Sequence, residues 1–227
     1  MCIRDSLKSL VTTEMARKVA EDNGLKCFDT FTGFKFLAEK KDQLESSGEG
    51  NVIMSYEESF GYMLGSFVRD KDAVTASVAL TEMAAWYAGQ GMTLYDALQG
   101  LYEKYGHFGE RTMNLVMPGL DGLKKMAQLM ADLRANPPKE VGGTAVAQWK
   151  DYKDGSVVDA ATGDRTTMEL SGSNVLRYEL VDGTSVIVRP SGTEPKIKTY
   201  FTTLGKTLEE AQAQKDALAA AIEPILK

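Results

Sequence analysis

The chain has 227 residues, 43% of them hydrophobic, which is enough for one large core or two modest ones. Its formal net charge is −6 and no basic run stands out, which argues against a role on nucleic acid or at a membrane surface. The single histidine, His107, argues against His-based triads and His-rich metal sites. Two cysteines give no disulfide framework, so a reducing cytoplasm is expected. No apolar run is long enough to cross a bilayer.

The first part of the chain alternates predicted strands with predicted helices. Strands are expected at Leu7–Val11, Leu25–Phe28, Val52–Tyr56 and Phe108–Met117. Helices are expected from Thr12 or Thr13 to Gly24, from the loop 30–35 to about Gly48, from Asp72 to Gln90, from Thr93 to Gly106 and over 120–133. The run Thr93–Asp96 resembles a capping box at the start of its helix. This alternation predicts a mixed α/β domain over residues 7–136, with binding loops at the carboxyl ends of its strands.

A linker is predicted at Asn136–Pro138, where two prolines follow a helix. Beyond it, short alternating runs are separated by turn dipeptides, and Asp182-Gly183 lies between two β-rich runs as a hairpin turn would. Thr207 opens a closing helix. Residues 139–227 are therefore predicted to form a smaller α+β domain, an antiparallel sheet with packed helices.

The first six residues, Met1–Ser6, contain no clear element and resemble a sequencing-adaptor read-through. We therefore expect the gene to extend upstream, and these residues carry no fold prediction.

The loop Arg189–Lys196, between two predicted strands, has the parts of an anion site. A guanidinium can donate two N–H groups to one phosphate, hydroxyls add donors, and glycine lets the backbone approach. These groups are on Arg189, Ser191, Gly192 and Thr193, and Lys198 adds an ammonium on the strand that follows. The alternative is a surface hairpin in which glycine and proline only make the turn.

The run from Arg189 to Lys198 also resembles the phosphate-binding loop in the C-terminal domain of the α-D-phosphohexomutases, the family of phosphoglucomutase, phosphomannomutase and phosphopentomutase relatives. The resemblance implies that Arg189, Ser191, Gly192 and Thr193 hold the non-reacting phosphate, with Lys198 as a weaker candidate.

An acidic turn, Glu57-Glu58-Ser59, follows the predicted strand Val52–Tyr56. Carboxylates at a strand end can accept hydrogen bonds from sugar hydroxyls, although a solvated loop is the alternative. The turn resembles the family's sugar-binding loop, usually Gly-Glu-x-Ser-Gly, which implies that Glu57 and Ser59 contact the sugar. Tyr56 and Phe60 depart from that pattern and leave hexose or pentose open.

The run Thr32–Lys35 resembles the family's Thr-Gly-x-Lys/Ser loop and implies that Lys35 contacts sugar or phosphate. The alternative is a solvated lysine in the first turn of a helix.

Together these resemblances imply the third and fourth domains of a four-domain mutase that interconverts sugar 1-phosphate and sugar 6-phosphate. The family uses a phosphoserine, a magnesium ion (Mg²⁺) on an Asp-x-Asp-x-Asp loop and a sugar 1,6-bisphosphate. This sequence contains neither the Ser-His-Asn loop nor the Asp-rich loop, so it is assigned no catalytic residue and no metal ligand.

Three expectations follow from the missing loops. The partner is the N-terminal domains of the same enzyme, the chain alone is inactive, and its two turns close over one substrate by a swing at Asn136–Pro138. The alternatives are a non-enzymatic sugar-phosphate-binding or regulatory protein, and an unrelated two-domain protein with coincidental loops.

Overall fold

The computed structural model describes residues 4–119, 121–192 and 194–226. They form two compact units: the first ends at Gly106 and the second begins at His107.

The first unit is built on a four-stranded mixed sheet with the strand order β2-β1-β3-β4. The strands are β1 (Arg4–Ser9), β2 (Lys26–Thr30), β3 (Asn51–Glu57) and β4 (Gly61–Leu64). Strand β1 runs parallel to both β2 and β3, whereas β4 pairs antiparallel with β3. The carboxyl ends of β1, β2 and β3 therefore lie at one edge of the sheet.

Four helices complete this unit, and their ends follow local side-chain chemistry. They are α1 (Met15–Asp22), α2 (Phe34–Ser47), α3 (Ala73–Ala88) and α4 (Leu94–Tyr105). Gly48 ends α2 in the left-handed region, at φ 72°. The Asp72 carboxylate caps α3 by accepting from the N–H of Val74, and Thr93 and Asp96 form a reciprocal capping box on α4. The predicted cap at Thr93 is thus confirmed.

The core of the first unit lies where α2 packs on the sheet. Its buried members are Leu7, Phe34, Leu37, Ala38, Leu44, Val52 and Met63. Helix α3 contributes none of its side chains to a buried core and exposes large apolar groups such as Val74 and Trp86.

The second unit contains an eight-stranded antiparallel sheet and two helices. Its strands are β5 (His107–Val116), β6 (Glu140–Val141), β7 (Thr144–Asp151), β8 (Ser156–Asp159), β9 (Arg165–Thr167), β10 (Leu176–Leu180), β11 (Ser185–Pro190) and β12 (Lys196–Gly205). The order is β5-β12-β11-β10-β7-β8-β9, and β6 pairs with β7. Its helices are α5 (Gly122–Ala135) and α6 (Leu208–Leu226). The predicted fold class, a mixed α/β domain followed by an antiparallel α+β domain, is confirmed.

The predicted hairpin at Asp182-Gly183 joins β10 to β11. Gly183 adopts φ 84°, a conformation that favours glycine, and the Asp182 carboxylate accepts from the N–H of Thr184 at 2.9 Å. Local sequence chemistry therefore sets the register of these two strands.

The boundary between the units differs from the predicted one. Strand β5 pairs along its whole length with β12, and α5 contributes Met126, Met130 and Leu133 to the core of the second unit. Asn136–Pro138 only connects α5 to β6 inside that unit, so the predicted swing at this linker has no support. The two prolines mark a helix end, which a sequence pattern does not distinguish from a domain linker.

Strand β1 begins at Arg4, inside the six-residue segment in which the sequence predicts no element. Asp5 and Ser6 are buried in that strand, and the Asp5 carboxylate accepts from the N–H of Lys26 at 3.2 Å. The short strand β4 was also not predicted. Among the described residues, no helix has the length and apolar character needed to cross a membrane.

Candidate functional site

Glu57 ends β3 at the carboxyl edge of the first sheet. Its Oε1 atom accepts a hydrogen bond from the N–H of Gly33, in the loop between β2 and α2. Gly33 has φ 122°, which favours glycine. The structure thus joins two sequence-predicted segments, the acidic turn and the Thr32–Lys35 loop, through one backbone donor.

Glu58 is tied to the end of β1. Its Oε2 atom accepts from the hydroxyl of Ser9 at 3.0 Å, and its N–H donates to the hydroxyl of Thr12 at 3.1 Å. The two hydroxyls lie 2.9 Å from each other. The acidic turn is therefore connected to both neighbouring strand ends, and not only to β3.

The tip of the acidic turn consists of Ser59 and Phe60, which are both exposed. Phe60 has φ 61°, a left-handed conformation that is rare for an aromatic residue. Gly61 follows, and a Cβ there would come within 2.5 Å of the ring of Phe34, so the chain passes tightly over the start of α2. Phe60 thus occupies a strained position where the family pattern has glycine.

Lys35 is exposed in the first turn of α2, and its ammonium lies 4.6 Å from the centroid of the Phe36 ring. This contact neither requires nor excludes a ligand, so its role stays a prediction.

A network of four charges, built around the buried Lys8, lies next to the acidic turn. The side chain of Lys8 is fully buried and pairs with Glu14 at 3.1 Å and Asp29 at 2.9 Å. Arg17 pairs with the same two carboxylates, at 2.9 and 2.7 Å. Burial acts to lower the pKa of Arg17, but the charges of Asp29 and Glu14 outweigh it and raise the pKa above its ordinary value. Two cations and two anions thus balance each other.

The basic turn, residues 189–192 and 194–198, comprises the connection from β11 to β12 and the adjoining ends of these two strands. The N–H of Ser191 donates to the carbonyl of Lys196 at 2.8 Å, and the carbonyl of Pro195 accepts from the N–H of Met117 at 2.8 Å. Gly192 is exposed and has open space where a Cβ would stand. Thr193, which was also predicted to contact phosphate, lies outside the described residues.

The strand register places Arg189 directly opposite Lys198. Directly opposed residues share a face of the sheet, and like charges at such positions repel each other. Within residues 121–192 and 194–226, no ion pair includes either side chain, whereas the neighbouring Glu194 pairs with Lys196 at 2.5 Å. The lowered pKa of Glu194 comes mainly from its hydrogen bond with Lys196, and Lys198 makes only a minor contribution.

The same face of the sheet carries other cations that are neutralised. Glu179 pairs with Lys150 at 2.6 Å and with Arg177 at 3.0 Å. Burial of Glu179 acts to raise its pKa, but Arg177 and Lys150 outweigh it and lower the pKa below its ordinary value. Arg189 and Lys198 are therefore the cations on this face that no described carboxylate neutralises, and an anionic ligand could bind to them.

Several polar residues near these turns were not singled out from the sequence. Ser9 and Thr12 contact Glu58, and Asn114 on β5 lies opposite Lys198. Only strand register brings these residues to the turns, and a single sequence contains no direct signal for it. The predicted site residues themselves are divided between the units: Lys35, Glu57 and Ser59 are in the first, and Arg189, Ser191, Gly192 and Lys198 are in the second.

A resident metal ion finds no ligand set in the part of the chain that the structure describes, because no three His, Cys, Asp or Glu side chains cluster there.

Two family models match the chain. Residues 4–105 match the phosphoglucomutase/phosphomannomutase alpha/beta/alpha domain III, and residues 113–221 match the phosphoglucomutase/phosphomannomutase C-terminal domain. The chain belongs to the phosphoglucomutase/phosphomannomutase family. The two matches fall on either side of Gly106, as the two compact units do, and the predicted family and the order of its domains are confirmed.

Relatives with known names agree with this membership. The chain is 36% identical over 194 residues to a phosphoglucomutase of Staphylococcus aureus strain N315, which covers 86% of this chain and 35% of that protein. It is 31% identical over 211 residues to a phosphoglucomutase of Staphylococcus saprophyticus, which covers 93% of this chain and 38% of that protein. The chain thus spans little more than a third of the length of these relatives.

Among solved structures, the fold resembles pp63/parafusin, a phosphoglucomutase from Paramecium, in its open form. The TM-score is 0.65 at 22% identity, over 98% of this chain and 37% of that one. At this identity the likeness supports the fold alone.

We expect Phe60→Gly to stabilise this family member, because glycine adopts φ 61° without steric cost. The relief of strain is about 1–2 kcal/mol, and the greater freedom of glycine in the unfolded chain offsets about 0.5–1 kcal/mol of it. The lost ring is 88% exposed, so little burial is lost. Urea unfolding should report a gain of up to about 1.5 kcal/mol. Phe60→Ala is the matched control, since it also removes the ring but keeps a Cβ; an equal gain in both variants would contradict the strain.

The lowered pKa of Glu179 predicts a pH-dependent contribution to stability. A carboxylate with a lowered folded-state pKa stabilises the fold above its ordinary pKa, and this stability is lost as the pH falls through the folded value. The difference in unfolding free energy between the wild-type chain and Glu179→Gln should therefore be largest near neutral pH and shrink below about pH 4.5. Urea unfolding at a series of pH values measures it. If the difference in unfolding free energy between the two proteins does not change with pH, the ionised carboxylate of Glu179 is not the source of the stabilisation.

Proposed function

We propose that this chain recognises the substrate of a phosphosugar mutase that interconverts sugar 1-phosphate and sugar 6-phosphate through a bisphosphate. The observation that carries the proposal is the opposed pair of Arg189 and Lys198, which has no carboxylate partner among the described residues. We assign the phosphoserine, Mg²⁺ and the transfer step to the N-terminal domains of a longer enzyme, working in the cytoplasm.

Phosphate recognition is supported by the chemistry of the basic turn. Arg189 offers a planar fork of N–H donors, Lys198 offers a second positive charge, and a phosphate bound between them removes their mutual repulsion. Ser191 and Gly192 follow in the turn, where a hydroxyl and an accessible backbone can add contacts.

Sugar recognition is supported by the acidic turn. Glu57 is held by Gly33 at one carboxylate oxygen, and a carboxylate has capacity for several hydrogen bonds. Ser59 is exposed beside it, and Lys35 is a further candidate. Hydroxyls and a phosphate occur together in phosphorylated sugars. Glucose is our first choice, because the named relatives are phosphoglucomutases.

Arg189→Ala in this chain should weaken binding of inorganic phosphate by about 10- to 100-fold, the usual range for a lost hydrogen bond between charged groups. Titration calorimetry or phosphorus NMR measures the affinity. Lys150→Ala is the matched control, since Lys150 is a cation on the same face whose charge Glu179 balances. It should change the affinity by less than about twofold. Wild-type affinity in Arg189→Ala would remove the phosphate site.

Glu57→Gln should weaken the binding of glucose 1-phosphate but leave the binding of inorganic phosphate unchanged, because the acidic turn is assigned only to contacts with sugar hydroxyls. The expected loss for glucose 1-phosphate is about 5- to 10-fold, as for one hydrogen bond to a charged group. Both ligands are titrated into the wild-type chain and the variant. Equal loss for both ligands would contradict the division of roles.

A further inference from the structure

Thr12 joins the buried charge network to the acidic turn. Its carbonyl accepts a hydrogen bond from Lys8 at 3.0 Å, and its hydroxyl accepts one from the N–H of Glu58 at 3.1 Å. Thr12 is buried, as are Lys8 and Ser9. One residue thus contacts the interior of the unit through its backbone and the turn through its side chain.

The inner end of this connection is fixed by charge. The ammonium group of Lys8 donates hydrogen bonds to the carbonyl of Thr12 and to the carboxylate of Glu14, and the carboxylate of Asp29 lies 2.9 Å away as a further ion-pair partner. A fully buried ammonium that moved away from its partners would lose them without gaining water. The carbonyl of Thr12 is therefore held at a set position.

The outer end holds the turn at the residue between the two proposed sugar contacts. Glu58 lies between Glu57 and Ser59 in sequence, and it is bonded at both its N–H and its carboxylate, to Thr12 and Ser9. Fixing this residue limits the backbone freedom of both neighbours. A turn that is ordered before binding loses less entropy when the ligand arrives.

We propose that Thr12, supported by Ser9, is a positioning residue for sugar recognition, acting through Glu58 without touching the ligand. The proposal rests on the function proposed above and deepens it. It assigns to the end of β1 a role in selecting a phosphorylated sugar over free phosphate.

The test uses the whole chain and four variants. Thr12→Val removes the hydroxyl and keeps the shape, Thr12→Ser restores the hydroxyl, and Ser9→Ala removes the other contact. Thr13→Val is the matched control: the Thr13 hydroxyl accepts from the N–H of Met15 at the start of α1, so its loss lowers stability without touching Glu58. Each protein is titrated with glucose 1-phosphate and with inorganic phosphate, and exchange of the Glu58 amide proton is followed by NMR.

Thr12→Val and Ser9→Ala should each weaken the binding of glucose 1-phosphate by about fivefold, the usual effect of losing one hydrogen bond. The affinity for inorganic phosphate should stay unchanged in both variants. Exchange at the Glu58 amide should accelerate in Thr12→Val. Thr12→Ser and Thr13→Val should behave as the wild-type chain in both measurements. If Thr12→Val does not fold, Ser9→Ala decides the question alone.

Two failures are distinguishable. A wild-type chain that binds glucose 1-phosphate no better than inorganic phosphate would overturn the proposed sugar recognition itself. Preference for glucose 1-phosphate that persists undiminished in Thr12→Val and Ser9→Ala would overturn the positioning role alone, even if amide exchange at Glu58 accelerates.

Discussion

The parallel pairing of β1 with both β2 and β3 is the constraint on which the first unit depends. Parallel strands end at the same edge of a sheet, so three loops far apart in sequence meet there. Gly33 reaches Glu57 and Thr12 reaches Glu58 because of this pairing. The same edge holds the buried Lys8, which pairs with Glu14 and Asp29 and donates a hydrogen bond to the carbonyl of Thr12 in the loop after β1.

In the second unit, antiparallel register has the corresponding role. The pairing of β11 with β12 places Arg189 opposite Lys198 and leaves their repulsion unrelieved by any ion pair among the described residues. The core on the other face, with Val188, Ile197 and Phe201 buried, holds the strands in that register despite the repulsion. A fold that tolerates an unfavourable pair at one place is consistent with a ligand that relieves it.

Local sequence patterns predicted many of the helices, caps and turns. They did not predict which distant strands pair with each other. The Thr93 capping box and the Asp182-Gly183 turn are encoded within a few residues, and both formed as expected. The partners of Glu58 depend on register over more than forty residues, which a sequence pattern does not contain. The prediction of a domain linker at Asn136–Pro138 was wrong because helix α5, which ends there, packs into the core of the second unit. That packing is also a long-range contact, which the local sequence does not contain.

The turn residues Glu57 and Arg189 could be named from sequence because short motifs around them resemble those of the family. The buried position of Lys8 could not be predicted from the sequence, because lysine is rarely buried and its two acidic partners come from separate segments. The left-handed backbone of Phe60 could not be predicted either, because aromatic residues rarely adopt this conformation and nothing in the local sequence indicates it.

We propose that the acidic and the basic turn both recognise a phosphorylated sugar. An amide chemical-shift map of the whole chain during titration with glucose 1,6-bisphosphate tests it most directly. Saturable shifts are expected at the residues around Glu57 and at those around Arg189. Shifts confined to other surfaces, or absent from both turns at saturating ligand, would contradict it.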